Sequence, residues 1–187
     1  NVGFLWLGAI RSSALMIGYE RPLGLSVIGV LMITGSLSTV QIVEAQSKVW
    51  FIVYQPLGFI IYLISAVAEC SRTPFDLTEC ENELVAGYQT EYSSMKFALY
   101  YLAEYAHILV VSSLAVTLFF GGWHGWILPP VIWFLIKVFI FIFFFIWVRA
   151  TFPRFRYDQL MKFGWKVLFP LALLNIMITA VVIVLVS

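Results

Sequence analysis

Charge is what this sequence has least of. Only 11% of its residues are Asp, Glu, Lys or Arg, against about 25% in an ordinary soluble domain, and that excludes a soluble globular fold. The formal net charge is +1, so the balance points to no nucleic-acid partner. Cysteine is almost absent. Cys70 and Cys80 are the two in the chain, and two thiols cannot supply the four ligands of an ordinary iron–sulfur cluster or structural zinc site. The loop that carries them is placed below in a reducing compartment, which disfavours a disulfide. Runs of about ten residues alternating in polarity, as in barrel strands, are missing too. No internal repeat supports an inverted-repeat transporter. The chain opens on Asn1 and enters an apolar segment with no charged region or cleavage site before it, which is not a signal peptide. It reads as the later part of something longer, a fragment or a separately made half.

What remains is hydrocarbon. Hydrophobic residues make up 62% of the chain, and several runs match the roughly 20 apolar residues needed to cross a bilayer. The sequence predicts an all-α integral membrane protein, a single transmembrane domain over 1–187 with about five membrane helices. These are placed at 5–33, 50–68, 95–120, 127–148 and 165–186, with a polar stretch at 34–48 and an acidic loop at 69–94. Pro22 is an expected kink in the first helix. Gly121-Gly122 is a stop signal, and Pro129-Pro130 suits a first turn.

Lysines and arginines set the expected orientation. Residues 149–166 hold Arg149, Arg154, Arg156, Lys162 and Lys166, five of the eleven basic residues. The acidic loop falls on the same side, so both are expected to face the cytoplasm or matrix. The basic run serves as topology signal and anionic-lipid contact, or as a docking surface for an acidic soluble partner.

Seven of the ten carboxylates fall between residues 69 and 107: Glu69, Asp76, Glu79, Glu81, Glu83, Glu91 and Glu104. Acids this close cannot all ionise cheaply out of water. A solvated loop is one reading. The apolar residues between them (Phe75, Leu77, Leu84, Val85, Tyr88) favour a loop folded against the membrane surface and lining a cavity. Glu20 lies within the first helix, where an acid marks a proton path, or else snorkels or pairs locally with Arg21. Glu104 and His107 share a face of the third helix, with Tyr100 a turn earlier. Such a face can relay protons or simply join helices. Lys137 sits in an apolar run and needs a carboxylate partner or a route to water, for an ion pair or a relay.

The R-T-P-F-D-L block at 72–77 and the E-L-V-x-G-Y-x-T-E-Y-S-S-x-K block at 83–96 carry a specific resemblance. They are similar to the signature of one membrane component, called H in bacteria and 1 in mitochondria, of proton-translocating NADH:quinone oxidoreductase, respiratory complex I. RSSALMIGYE at 11–20 and RATFPRFRYDQLMKFGW at 149–165 resemble two further family blocks in the right order. The resemblance covers the family's second half or somewhat more; its opening helices are absent. It implies a subunit without a redox centre of its own, in a bacterial plasma membrane or mitochondrial inner membrane. FMN and iron–sulfur clusters are then carried by partner subunits, and quinone is the substrate. Partners would be the hydrophilic quinone-module subunits, the membrane-arm subunits and, for a split protein, a chain carrying the missing helices. By motif position Glu20, Glu69, Glu83 and Glu104 resemble the buried acid path; His107 and Lys137 join it from their own places inside the membrane helices. Arg72, Phe75, Asp76, Glu79, Glu81 and Glu91 resemble residues of the quinone chamber and its loop. Thr78 departs from the family's usual Pro, and Arg21 from its usual apolar residue. The membrane component of an energy-converting hydrogenase shares the acidic loop, but the E-Y-S-S-x-K and R-F-R-Y-D-Q-L blocks favour the quinone-linked branch. A plain structural anchor would not need acids on several membrane helices.

Overall fold

The first helix, α1, runs Val2–Thr34 with Pro22 inside it. It stops where Gly35 adopts φ 66° and its N–H reaches back to the Leu31 carbonyl at 2.8 Å, a left-handed cap open mainly to glycine. The computed structural model describes residues 2–70, 75, 95–125, 129–153 and 155–186. All regular structure among these is helical.

The polar stretch after α1 contains a helix that its composition does not announce, α2 at Thr39–Ala45. Ile42 and Val43 are buried, so packing rather than propensity holds these two turns in place. The second membrane segment is broken. A single turn, α3 at Phe51–Tyr54, is followed by Gln55 at φ −132°, ψ 61°, and then by α4 at Pro56–Glu69. Pro56 has no N–H to donate and so starts a helix more easily than it continues one. Together the two pieces rise about 28 Å, close to the hydrocarbon thickness.

Helix α5 spans Met95–Phe119 and ends on Gly121 and Gly122, both at positive φ. Helix α6 spans Pro130–Thr151, three residues later at each end than the apolar run predicts. Pro129 caps it, and Arg149 lies in its last turn, where a cation complements the helix dipole. The last helix begins earlier than 165. α7 at Tyr157–Phe163 passes through a π-helical turn at Gly164–Leu168 into α8 at Phe169–Val186. Most of the basic segment is therefore helical, since long charged side chains are good helix formers with apolar stems.

Four segments are long and apolar enough to cross a membrane: Met16–Thr34, Tyr101–Phe119, Pro130–Thr151 and Tyr157–Leu185, with Pro56–Glu69 a shorter apolar helix. The chain is an all-α membrane protein. α4 is its axis, packed against α1, α5 and α8, while α6 packs along α5. Phe59 meets Phe119, Phe120 and Phe141 with ring centroids 5.4–6.1 Å apart, largely edge to face as aromatic quadrupoles prefer.

At the π turn, the hydroxyl of Tyr19 donates to the Leu160 carbonyl at 2.8 Å, entirely buried. Gly164 lies against the same ring and the Gly18 carbonyl. Tyr19→Phe keeps the ring and removes the hydroxyl donor, leaving the Leu160 carbonyl with the Gly164 N–H, which is expected to cost about 1 kcal/mol. An unchanged thermal midpoint in detergent would show that the bond is not stabilising.

Candidate functional site

Three blocks distant in sequence meet at one end of the bundle. Phe75 is 7% exposed and stacks edge-on against Tyr19 at 5.4 Å and against Phe155 at 6.3 Å. Those three rings come from the 72–77, 11–20 and 149–165 blocks, and Tyr19 binds Leu160 from the last of them. Three motifs far apart in sequence therefore share one packing site. Beside it opens a largely apolar cleft of about 570 Å³ between α4, α6 and α7, lined by Phe75, Val67, Phe144, Phe155, Leu160 and others. Its walls suit a flat apolar ligand rather than an ion. Arg149, Arg156, Lys162 and Lys166 are exposed around this end, and Arg156 pairs with Asp158 at 3.3 Å.

Glu69 closes α4 within reach of α5. Its Oε1 lies 3.8 Å from Nε2 of His107, too long for a hydrogen bond but close enough for charges to interact. The His107 ring is partly open to solvent, yet Nε2 is turned inward out of contact with it. On α5, one turn before His107, Glu104 is half-buried with Oε2 out of contact with solvent. Carboxylates and an imidazole thus line one region, with groups able to hold and hand over a proton.

The structure pairs Glu69 with His107, where the sequence pointed to the Glu104–His107 face alone. The pair joins two helices through positions distant in sequence, which no local pattern encodes. Glu20 is exposed on this chain, and Arg21 beside it lies over the Trp165 ring, 5.2 Å from its centroid. Arg72, Asp76, Glu79, Glu81, Glu83 and Glu91 lie outside the described residues. So does Cys80, while Cys70 is buried. Among the described residues no three metal-ligating side chains come together.

Lys137 is elsewhere. It is 7% exposed, and its ammonium donates to the carbonyls of Phe120 at 2.6 Å, Gly122 at 3.1 Å and His124 at 2.9 Å. The Trp50 face lies 4.9 Å away. Carbonyls at the end of α5, not a carboxylate, meet its need for partners. From His107 to Phe120 α5 rises about 20 Å, so Lys137 sits at the opposite end of the bundle from the acids. Sequence reading also passed over Gln55, Ser65, Asn175 and Thr179, all buried. Their one signal was polarity inside apolar runs.

The NADH dehydrogenase family model matches residues 1–180. The H subunit of the NADH-quinone oxidoreductase of Protochlamydia amoebophila is 59% identical over 180 residues, 96% of this chain and 55% of that protein. One H subunit of the Geobacter metallireducens enzyme is 56% identical over 179 residues, 96% of this chain and 54% of its own length. The H subunit from Dehalococcoides mccartyi is 58% identical over 180 residues, covering 96% of this chain and 51% of that protein. The chain spans about half the length of the curated relatives it matches. The blocks that meet around Phe75 all lie within the matched region, and the chain belongs to the NADH dehydrogenase family.

Proposed function

We propose that this chain is a membrane component of a proton-pumping NADH:quinone oxidoreductase, and that it builds part of the quinone chamber and of the acid path leading from it. The observation that carries this reading is the convergence on Phe75. A loop block, a membrane-helix block and a basic block meet at one ring, beside an apolar cleft and one helix-end away from the Glu69–His107 pair. In this reading Arg72, Phe75, Asp76, Glu79, Glu81 and Glu91 shape the chamber, with Glu20, Glu69, Glu83, Glu104 and His107 in the path. Lys137 instead holds the far turn of α5.

Reducing a quinone to a quinol takes up two electrons and two protons. This chain's part is to place the ring, keep bulk water from it, and hold exchangeable protons near where negative charge appears. Flavin and iron–sulfur clusters belong to hydrophilic partner subunits, further membrane-arm subunits flank the acid path, and additional helices complete the chamber. The Phe75 end faces the cytoplasm or matrix.

Phe75→Leu in the assembled complex tests the reading. Loss of an aromatic contact worth about 1 kcal/mol should raise KM for quinone by several-fold up to about tenfold, with kcat changed far less. Unaltered KM would remove Phe75 from the chamber.

A further inference from the structure

We infer that Arg21 and Trp165, with Lys162 and Lys166 beside them, bind the headgroup phosphate of an anionic phospholipid in the leaflet at the Phe75 end of the bundle. Arg21 is the one cation of the membrane span Met16–Thr34. It is exposed, and it stands where the family has an apolar residue, so the chemistry shared by the family does not call for it. From Arg21 to Thr34 the helix rises about 20 Å, short of a hydrocarbon layer about 30 Å thick. The guanidinium therefore has to find an anionic group or water along the outside of the bundle.

The guanidinium carbon of Arg21 lies 5.2 Å from the centroid of the Trp165 ring. That indole is seated against α1, its nitrogen 3.5 Å from the place a Cβ on Gly18 would take. Contact with a ring positions the cation and leaves its N–H donors for another acceptor. Among the described residues Arg21 has no ion pair, and Glu20 beside it points about 100° away around the helix. Lys162, one turn before Trp165, and Lys166, next to it, are exposed as well. Neither has an ion-pair partner among the described residues. Three cations against Glu20 leave this patch positive.

An acidic soluble protein would also answer a positive patch, but the surroundings are those of a lipid. Met16, Ile17 and Val167 are exposed beside the cations. The stripe of α1 that passes through Arg21 reads Ile17, Arg21, Gly24, Ile28, at steps of four and three residues. Ile28 is exposed, and a Cβ on Gly24 would meet nothing within 4 Å. One cation at the head of an open apolar stripe matches one phosphate at the head of an acyl chain. The guanidinium fork takes two phosphate oxygens at once, and tryptophan belongs at headgroup depth. The lysines add attraction for a lipid that carries net negative charge.

The test takes the membrane complex purified with this chain in it and placed in nanodiscs of phosphatidylcholine doped with phosphatidylglycerol. Electron cryomicroscopy should show headgroup density beside Arg21 and Trp165, and Arg21→Val should remove it. Mass spectrometry of the lipid retained on the complex should show one phosphatidylglycerol whose affinity falls at least about tenfold in Arg21→Val. Lys166→Gln should weaken it by about fivefold. Arg21→Lys, which keeps the charge but not the fork, should fall between wild type and Arg21→Val. Equal retention in wild type and Arg21→Val would overturn the proposal, as would a neighbouring subunit's carboxylate seated on Arg21. Equal filling of the site in phosphatidylcholine alone would overturn the preference for anionic lipid. Should Arg21→Val fail to assemble, Arg21→Gln decides in its place. Retention is read without turnover, so the outcome does not depend on the proposed function.

Discussion

Replacing Lys137 with methionine is expected to destabilise the chain by about 3 kcal/mol. Methionine reproduces the apolar stem and fits the same slot, so what is lost is the ammonium. Its three bonds hold the carbonyls of Phe120, Gly122 and His124, where α5 has run out of its own donors. A positive charge at a helix C-terminus is also favoured by the dipole. Dropping the cost of burying an ammonium offsets part of the loss, which keeps the figure below the sum of three charged bonds. The same turn is fixed from the other side by Gln46, whose Oε1 accepts from the Gly121 N–H at 2.9 Å and whose Nε2 donates to the Thr117 carbonyl at 3.0 Å. Lys137→Met should therefore loosen the turn without releasing it. The measurement is the thermal midpoint of the purified complex and the yield of the chain in membranes. Wild-type values for both would mean that the carbonyls find other donors.

Glu69→Gln is expected to slow proton translocation about a hundredfold, the low end of what a positioned proton carrier contributes, while the chain still assembles. Glutamine has the shape of glutamic acid and can sit against His107, but it cannot give up or take a carboxyl proton. The 3.8 Å approach of Glu69 to His107 motivates the choice. His107→Gln should have a similar effect, and the double variant should be little worse than either alone, since the two act as one unit. Quinone reduction with an uncoupler present separates lost pumping from lost electron transfer. Wild-type proton stoichiometry at the wild-type rate in Glu69→Gln would remove it from the path.

The parts of this fold that were legible in the sequence are those decided locally. Gly121-Gly122 ended α5 because both adopt positive φ, and Pro129-Pro130 opened α6 because a first turn lacks donors in any case. Length and apolarity marked the membrane segments. By contrast α2 is invisible to composition, because Ile42 and Val43 are buried by other elements. Pro56 was noticed, but only the Gln55 backbone shows that it divides a helix in two. The early start of the last helix followed from side chains that read as a loop by charge alone.

The site divides in the same way. The blocks around Phe75 were readable as motifs, whereas their meeting at one ring was not, because contact between distant segments leaves no local pattern. Lys137 clearly needed partners. Backbone carbonyls have no sequence signature, so a carboxylate was the natural expectation and the structure supplied something else. Gln55 and Asn175 looked like isolated polar residues until Gly29 and Gly58 beside them showed the space that their amides fill together.

The break at Gln55 has a mechanical consequence. α4 is a rod of 14 residues, about 21 Å long, with Glu69 at its far end and no ladder bond from Pro56 tying it to α3. At its near end the Gln55 amide donates to the Gly29 carbonyl of α1 and to Thr179 of α8. A pivot of about 5° there swings the carboxyl end by about 2 Å. That is enough to turn a 3.8 Å approach into a hydrogen bond or into no contact at all. The spacing of acid and imidazole is thus tied to a backbone break in the depth of the membrane rather than beside the chemistry.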